Sequence, residues 1–127
     1  MSSANEYALL DSGNFQKLER VGPYLLVRPA LQAIWKPMLP ESEWKRADAT
    51  FIRDESGKGE WQFKGKRLPE QWNAEVSKLR VVVRLTDFGH IGLFPEHFQE
   101  LDLLKAAIQD CKEKPFKVLN LLLIQAV

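Results

Sequence analysis

The sequence predicts an α+β protein: mainly an antiparallel β-sheet or partial barrel, followed by one C-terminal helix and a final strand. In the first ninety residues, short apolar segments alternate with glycine, proline and polar turn residues, which is typical of many short strands. From Pro95 onward, the apolar residues recur at intervals of three and four, as they do on one face of a helix. We therefore place a β-rich N-terminal domain at residues 1–94 and an incomplete second domain at residues 95–127.

The strands of the N-terminal domain are short, and turn signals separate them. The segment around Val81, Val82 and Val83 is the strongest, because β-branched side chains suit a pleated, half-buried surface. Pro40 precedes a short acidic segment, residues 41–46, which predicts a single helical turn. The predicted strands are residues 7–10, 24–27, 31–35, 50–52, 61–63, 72–76 and 79–85.

The second domain begins with a predicted helix at residues 95–112. Proline suits the first position of a helix, so Pro95 fits the start, and Pro115 follows the last turn. Residues 116–124, rich in leucine and valine, then indicate a buried strand. The apolar face of the helix consists of Phe98, Leu101, Leu104, Ile108 and Cys111.

The composition is that of an ordinary globular protein. The net charge is +1, with 45% apolar and 28% charged residues, which excludes a disordered tail and a strongly basic nucleic-acid arm. No apolar run approaches the roughly 20 residues of a membrane span, and no leader peptide is visible. The single cysteine, Cys111, cannot form an internal disulfide. We expect a cytoplasmic protein with no membrane partner.

The distribution of charge and of tryptophan leaves two interpretations open. Residues 15–84 hold 14 basic and 9 acidic residues, a local balance of +5. This segment either forms a basic face for RNA phosphates or is a solvated β surface. The four tryptophans either stack on unpaired bases or fill the core. Because Trp61 and Trp72 fall in segments that alternate with period two, we favour the core for them.

Residues of catalytic type are few, and we predict no catalytic residue and no metal site. The two histidines, His90 and His97, have no further ligands at metal-binding spacing. Cys111 falls on the apolar helix face, which favours packing over nucleophilic chemistry. Residues 87–96 stand out, with two glycines among large apolar residues just before a helix. Such a segment is either a backbone approach to a ligand or a structural turn.

Short motifs occur in a fixed order along residues 6–121. Among them are Gly-Pro-Tyr at 22–24, Arg-Pro at 28–29, Gln-Ala-Ile-Trp-Lys-Pro at 32–37, Phe-Gly-His-Ile-Gly-Leu-Phe-Pro-Glu at 88–96 and Val-Leu-Asn-Leu at 118–121. In this order they resemble the opening of bacterial class I S-adenosylmethionine-dependent methyltransferases. They are similar to the group allied to the large-subunit ribosomal RNA methyltransferases.

The resemblance implies a small β-rich domain before a Rossmann-like methyltransferase domain, whose first strand is residues 118–121. It also implies methyl transfer from S-adenosylmethionine to an RNA base. The implied cofactor-binding residues are Phe94, Glu96, His97 and Asn120, and the implied substrate or RNA contacts are Arg28, Lys36 and Trp35.

The last six residues depart from the family. After the Val-Leu-Asn-Leu strand, the family continues Phe-Ala-Tyr-Thr-Gly-Gly, the loop that holds the methionine part of the cofactor. Residues 122–127 read Leu-Leu-Ile-Gln-Ala-Val, which deletion of one nucleotide from suitable codons of that motif produces. We therefore expect a truncated chain that is inactive alone and binds no cofactor.

The partners expected for such a chain are RNA and, through the terminal strand, a second copy or a complementary methyltransferase fragment. The alternative function is a non-catalytic RNA- or protein-binding β module.

Overall fold

The computed structural model describes residues 5–94, 97–115, 117 and 119. The chain divides into two compact units, Met1–Leu93 and Phe94–Val127, which are described separately below. The described residues form an α+β fold made mostly of strands, as the sequence predicts. The elements are β1 (Ala8–Gly13), β2 (Gln16–Val21), β3 (Tyr24–Pro29), α1 (Glu41–Trp44), β4 (Ala49–Arg53), β5 (Gly59–Phe63), β6 (Gln71–Val76), β7 (Leu79–Arg84) and α2 (Phe98–Asp110).

The first unit contains two sheets. Strands β1 to β5 follow one another across the larger sheet, and β6 pairs with β7 in the smaller one. Neighbouring strands are antiparallel except β3 and β4, which are parallel at the pairs Leu26–Ala49 and Val27–Thr50. A parallel pair needs a crossover connection, and residues 30–48, which include α1, provide it. The prediction of a mainly antiparallel fold is confirmed.

The core of the first unit joins both sheets to the segment after β7. Its buried members are Val21, Leu26, Ala49, Ala74, Val83 and Ile91. Trp61 and Trp72 pack against this cluster, as their alternating positions predict. Each indole N–H is satisfied by a backbone carbonyl: Trp61 donates to Thr86 at 2.9 Å and Trp72 donates to Val21 at 2.9 Å.

Two parts of the predicted strand order are wrong. Residues 31–35 form turns rather than a strand, and Leu31 and Ile34 are exposed there. Backbone hydrogen bonds join this segment to the β1–β2 turn instead of to a neighbouring strand. Conversely, β2 is a strand that the apolar pattern does not predict. Its alternation is masked because the buried position 19 carries a glutamate, Glu19.

The second unit contributes α2, which confirms the predicted helix from Phe98 onward. None of the described residues of α2 is fully buried, and Leu103 and Leu104 are exposed. The predicted final strand falls mostly outside the described residues, so its expected partners stay predictions. No helix in the described part of the chain is long and apolar enough to cross a membrane.

Candidate functional site

A groove of about 800 Å³ lies beside the larger sheet in the first unit. Its walls come from the β1–β2 turn, the loop before α1, α1 itself and strands β4 and β5. Trp44 and Phe63 form apolar parts of the lining. The long polar side chains and amides in the lining are Asn14, Gln16, Lys36, Lys45, Gln62 and Lys64.

The groove carries more positive than negative charge. Three lysines and one glutamate, Glu41, line it. The Lys45 ammonium lies 3.6 Å from the Glu41 carboxylate, and both side chains are well exposed, so this pair is weak. Lys36 and Lys64 have no ion-pair partner among the described residues. Two unpaired ammonium groups and nearby amides suit an anionic, hydrogen-bonding ligand such as a phosphodiester chain.

A β-bulge in β1 directs the side chain that supports one wall of the groove. Leu9 pairs with Glu19, but Asp11 pairs with Leu18, so Leu10 is the extra residue on β1. A bulge changes the direction of the following side chains. As a result Asp11 is buried, whereas Leu9 and Leu10 are exposed.

Asp11 holds the loop before α1. Its carboxylate accepts hydrogen bonds from the Met38 N–H at 3.2 Å, the Leu39 N–H at 2.8 Å and the Trp44 indole N–H at 3.0 Å. Burial by itself raises the pKa of the Asp11 carboxyl. The hydrogen bonds from Leu39, Met38, Trp44 and the Ser12 N–H together outweigh burial and lower that pKa below its ordinary value. The ionised carboxylate therefore positions the wall that carries Lys36.

Gly13 permits the β1–β2 turn to lie directly against this wall. A Cβ at Gly13 would lie 2.4 Å from the Pro37 nitrogen and 2.8 Å from the Lys36 carbonyl carbon. Its φ of +152° also favours glycine. The Asn14 N–H donates to the Trp35 carbonyl at 2.8 Å, which joins the turn to the loop.

Two of the three predicted substrate contacts lie at or beside the groove. Lys36 lines it, and Trp35 precedes Lys36 with its indole N–H donating to the Ser12 carbonyl at 3.0 Å. Lys45 and Lys64 were not predicted, because they come from separate elements and no sequence motif joins them to Lys36.

Arg28, the third predicted contact, lies elsewhere. Its side chain is 8% exposed and forms two hydrogen bonds with Glu19, of 2.6 and 2.9 Å. Its remaining Nη1 donates to the Gly89 carbonyl at 3.1 Å, and the Tyr7 hydroxyl donates to the same Glu19 carboxylate. A guanidinium with these partners is a structural group, so its position corrects the expectation that Arg28 faces RNA.

The predicted cofactor residues belong to the second unit or lie outside the described residues. Phe94 and His97 are exposed, with ring centroids 6.2 Å apart, and His97 Nδ1 lies 3.1 Å from a Glu100 carboxylate oxygen. Glu96 and Asn120 are outside the described residues. None of the described residues of α2 is buried. The roles of these four residues in cofactor binding stay predictions. The described part of the chain holds no cluster of three metal-ligating side chains.

Comparison with solved structures relates the chain to a methyltransferase. The chain is similar to a solved SAM-dependent methyltransferase from Agrobacterium tumefaciens, with 38% identity over 89% of this chain and a TM-score of 0.80. It spans 36% of that protein. No protein-family model and no curated protein matches the chain. This chain is therefore related in sequence and fold to a SAM-dependent methyltransferase. Its predicted alliance with the ribosomal RNA group stays a prediction.

Proposed function

We propose that this chain is the RNA-binding portion of an S-adenosylmethionine-dependent methyltransferase. The observation that carries the proposal is a lysine-lined groove in a unit that is related to such an enzyme. The relative is nearly three times as long as the shared part, since this chain spans 36% of it. In this proposal, methyl transfer requires the part of the longer enzyme that this chain does not span, and the present chain supplies substrate binding.

Binding in the groove follows from the charges and from the wall that holds them. Lys36 and Lys64 neutralise RNA phosphates, and the RNA then releases the counterions that were condensed on it. The affinity therefore depends on the salt concentration. The amides of Gln16 and Gln62 hydrogen-bond to ribose or base edges. Asp11 keeps the loop that carries Lys36 in place, so the backbone at Lys36 is already positioned before RNA arrives.

S-adenosylmethionine supplies the methyl group in the proposed full enzyme. The loop that holds the methionine part of the cofactor in the family is not matched by residues 122–127, so we expect no cofactor binding by this chain alone. Phe94, Glu96, His97 and Asn120 remain proposed cofactor contacts that need the longer protein to complete a pocket. We derive no catalytic step from them.

The test is a fluorescence anisotropy titration of a labelled single-stranded RNA with the 127-residue chain, repeated over a range of salt concentrations. Replacing Lys36 and Lys64 together by Gln should weaken binding about tenfold and reduce the salt slope by about 1.4, at about 0.7 per phosphate contact. The matched control is the double variant Lys78→Gln and Lys105→Gln. It also removes two positive charges, but at positions that do not line the groove.

The two double variants decide the proposal. The control pair should bind RNA nearly as well as the wild type. Salt-independent binding by the wild type, or an equal loss of affinity in both pairs, would overturn the assignment of the groove.

A further inference from the structure

The turn between β1 and β2 places an aromatic residue in an unfavourable backbone conformation. Gly13 pairs with Gln16, and the two residues between them, Asn14 and Phe15, have φ values of 50° and 65°. Such two-residue turns favour Asn-Gly, because glycine has no Cβ to oppose a positive φ. A bulky side chain at the second position is an outlier.

Burial does not compensate for this conformation. Phe15 is 54% exposed and belongs to neither apolar cluster of the core. The hairpin of β6 and β7 has a two-residue turn with φ values of 49° at Ser77 and 68° at Lys78, and both residues are polar. The turn geometry therefore does not require an aromatic ring. Backbone strain without a packing reason points to a functional role.

Trp35 lies beside this turn and is held there by backbone hydrogen bonds. The Asn14 N–H donates to the Trp35 carbonyl at 2.8 Å, and the Phe15 N–H donates to the Ala33 carbonyl at 2.7 Å. The Trp35 indole N–H is bonded to Ser12, while the side chain stays 51% exposed. Two half-exposed rings thus stand on joined segments with fixed backbones.

Phe15 and Trp35 are immediate sequence neighbours of residues that line the groove, although neither lines it. Phe15 lies between the lining residues Asn14 and Gln16, and Trp35 immediately precedes the lining residue Lys36. We define Phe15 and Trp35 as the aromatic rim. Cations beside exposed aromatic rings form the usual arrangement for unpaired nucleic acid, in which phosphates contact the cations and bases stack on the rings.

We propose that the aromatic rim stacks unpaired bases and thereby selects single-stranded over duplex RNA; this rests on the proposed function. Bases in a duplex are already stacked on their neighbours, so they cannot occupy the rim without unpairing. Leu31 and Ile34 are also exposed nearby, which alone would suit a protein partner. The positive groove favours a polyanion as the occupant.

The decisive variant is Phe15→Gly, because it removes the aromatic ring and also removes the backbone strain at this position. Glycine adopts a positive φ without strain. We expect a higher Tm together with about tenfold weaker binding of single-stranded RNA, as for loss of one stacked base. Trp35→Ala should weaken binding similarly, and Phe15→Tyr should retain it. Ser77→Gly relieves the positive φ of the other hairpin and should raise Tm without changing RNA affinity.

Three outcomes would overturn the inference. One is unchanged RNA affinity in Phe15→Gly. Another is equal affinity for a duplex of the same sequence. The third is that Phe15→Gly or Trp35→Ala abolishes self-association of the chain in sedimentation while RNA binding stays intact. That result would assign the aromatic rim to a protein contact. If the groove-lysine variants lose RNA binding while the rim variants do not, the proposed function stands and only this inference fails. Absence of any RNA binding by the wild type would contradict both the proposed function and this inference.

Discussion

The Glu19 carboxylate and the Arg28 guanidinium form a two-point ion pair inside the first unit, with Glu19 on β2 and Arg28 on β3. Arg28 lies opposite Lys17 in the strand pairing, so it is diagonal to Glu19 on the same face. The guanidinium also holds the Gly89 carbonyl. One side chain therefore joins two strands to the segment after β7.

Replacing Arg28 by Met should destabilise the fold strongly. The buried Glu19 carboxylate would lose both hydrogen bonds from the guanidinium, and among the described residues it would keep only the Lys17 ammonium, 3.9 Å away, as a cationic partner. We expect the free energy of unfolding to fall by about 3–5 kcal/mol. Adding Glu19→Leu should restore most of the loss, because an apolar pair replaces the ion pair. Urea denaturation measures both variants. A single variant as stable as the wild type would contradict the structural role.

Replacing Gly89 by Ala should also destabilise the fold, for two separate reasons. Its φ is +80°, and an added Cβ would lie 2.7 Å from the Phe51 ring. Gly57 has a φ of +90° with nothing within 4 Å, so Gly57→Ala isolates the cost of the backbone conformation. We expect about 1 kcal/mol for Gly57→Ala and clearly more for Gly89→Ala in urea denaturation. Equal costs would show that the approach to Phe51 is not tight.

The depressed pKa of Asp11 should make the stability depend on pH in the acidic range. Hydrogen bonding to the ionised carboxylate stabilises the folded state fully above the pKa of the unfolded chain, near 3.9. This contribution is lost as the pH falls through the lower pKa of the folded state. The difference in unfolding free energy between the wild type and Asp11→Asn should therefore shrink between about pH 5 and pH 2. A constant difference would argue against an ionised Asp11.

Calorimetric titration of the 127-residue chain with S-adenosylmethionine should give no binding heat. The reason is that residues 122–127 do not match the loop that holds the methionine part of the cofactor in the family, and that no described residue of α2 is buried. Binding at micromolar strength would contradict this and would locate a cofactor site within the chain. RNA binding by the same preparation serves as the control for correctly folded protein.

Some of the fold was predictable from short-range patterns. The alternation in residues 61–63 and 79–85 and the three-and-four spacing after Pro95 correspond to β5, β7 and α2. These patterns follow from backbone geometry within one element. The strand predicted at residues 31–35 is wrong. The apolar side chains of Leu31 and Ile34 are exposed, and the backbone of this segment is hydrogen-bonded to the β1–β2 turn.

The candidate site was predictable only in part. Lys36 and Trp35 are adjacent in one motif, whereas Lys64 reaches the same groove from the end of β5. Which strands become neighbours is a property of the whole sheet, so no local pattern joins these lysines.

By itself the sequence determined where most of the strands and the helix fall, because those elements depend on neighbouring residues; it missed β2 and placed a strand at residues 31–35 that the structure does not have. Only the tertiary structure decided which charges are buried and which face solvent. Arg28 and Lys36 are both cations that directly precede a proline in the first unit, in Arg-Pro at 28–29 and Lys-Pro at 36–37, yet Arg28 is buried and Lys36 is exposed. The difference arises because Glu19, on an adjacent strand, offsets the cost of burying the Arg28 guanidinium, and no described carboxylate pairs with Lys36.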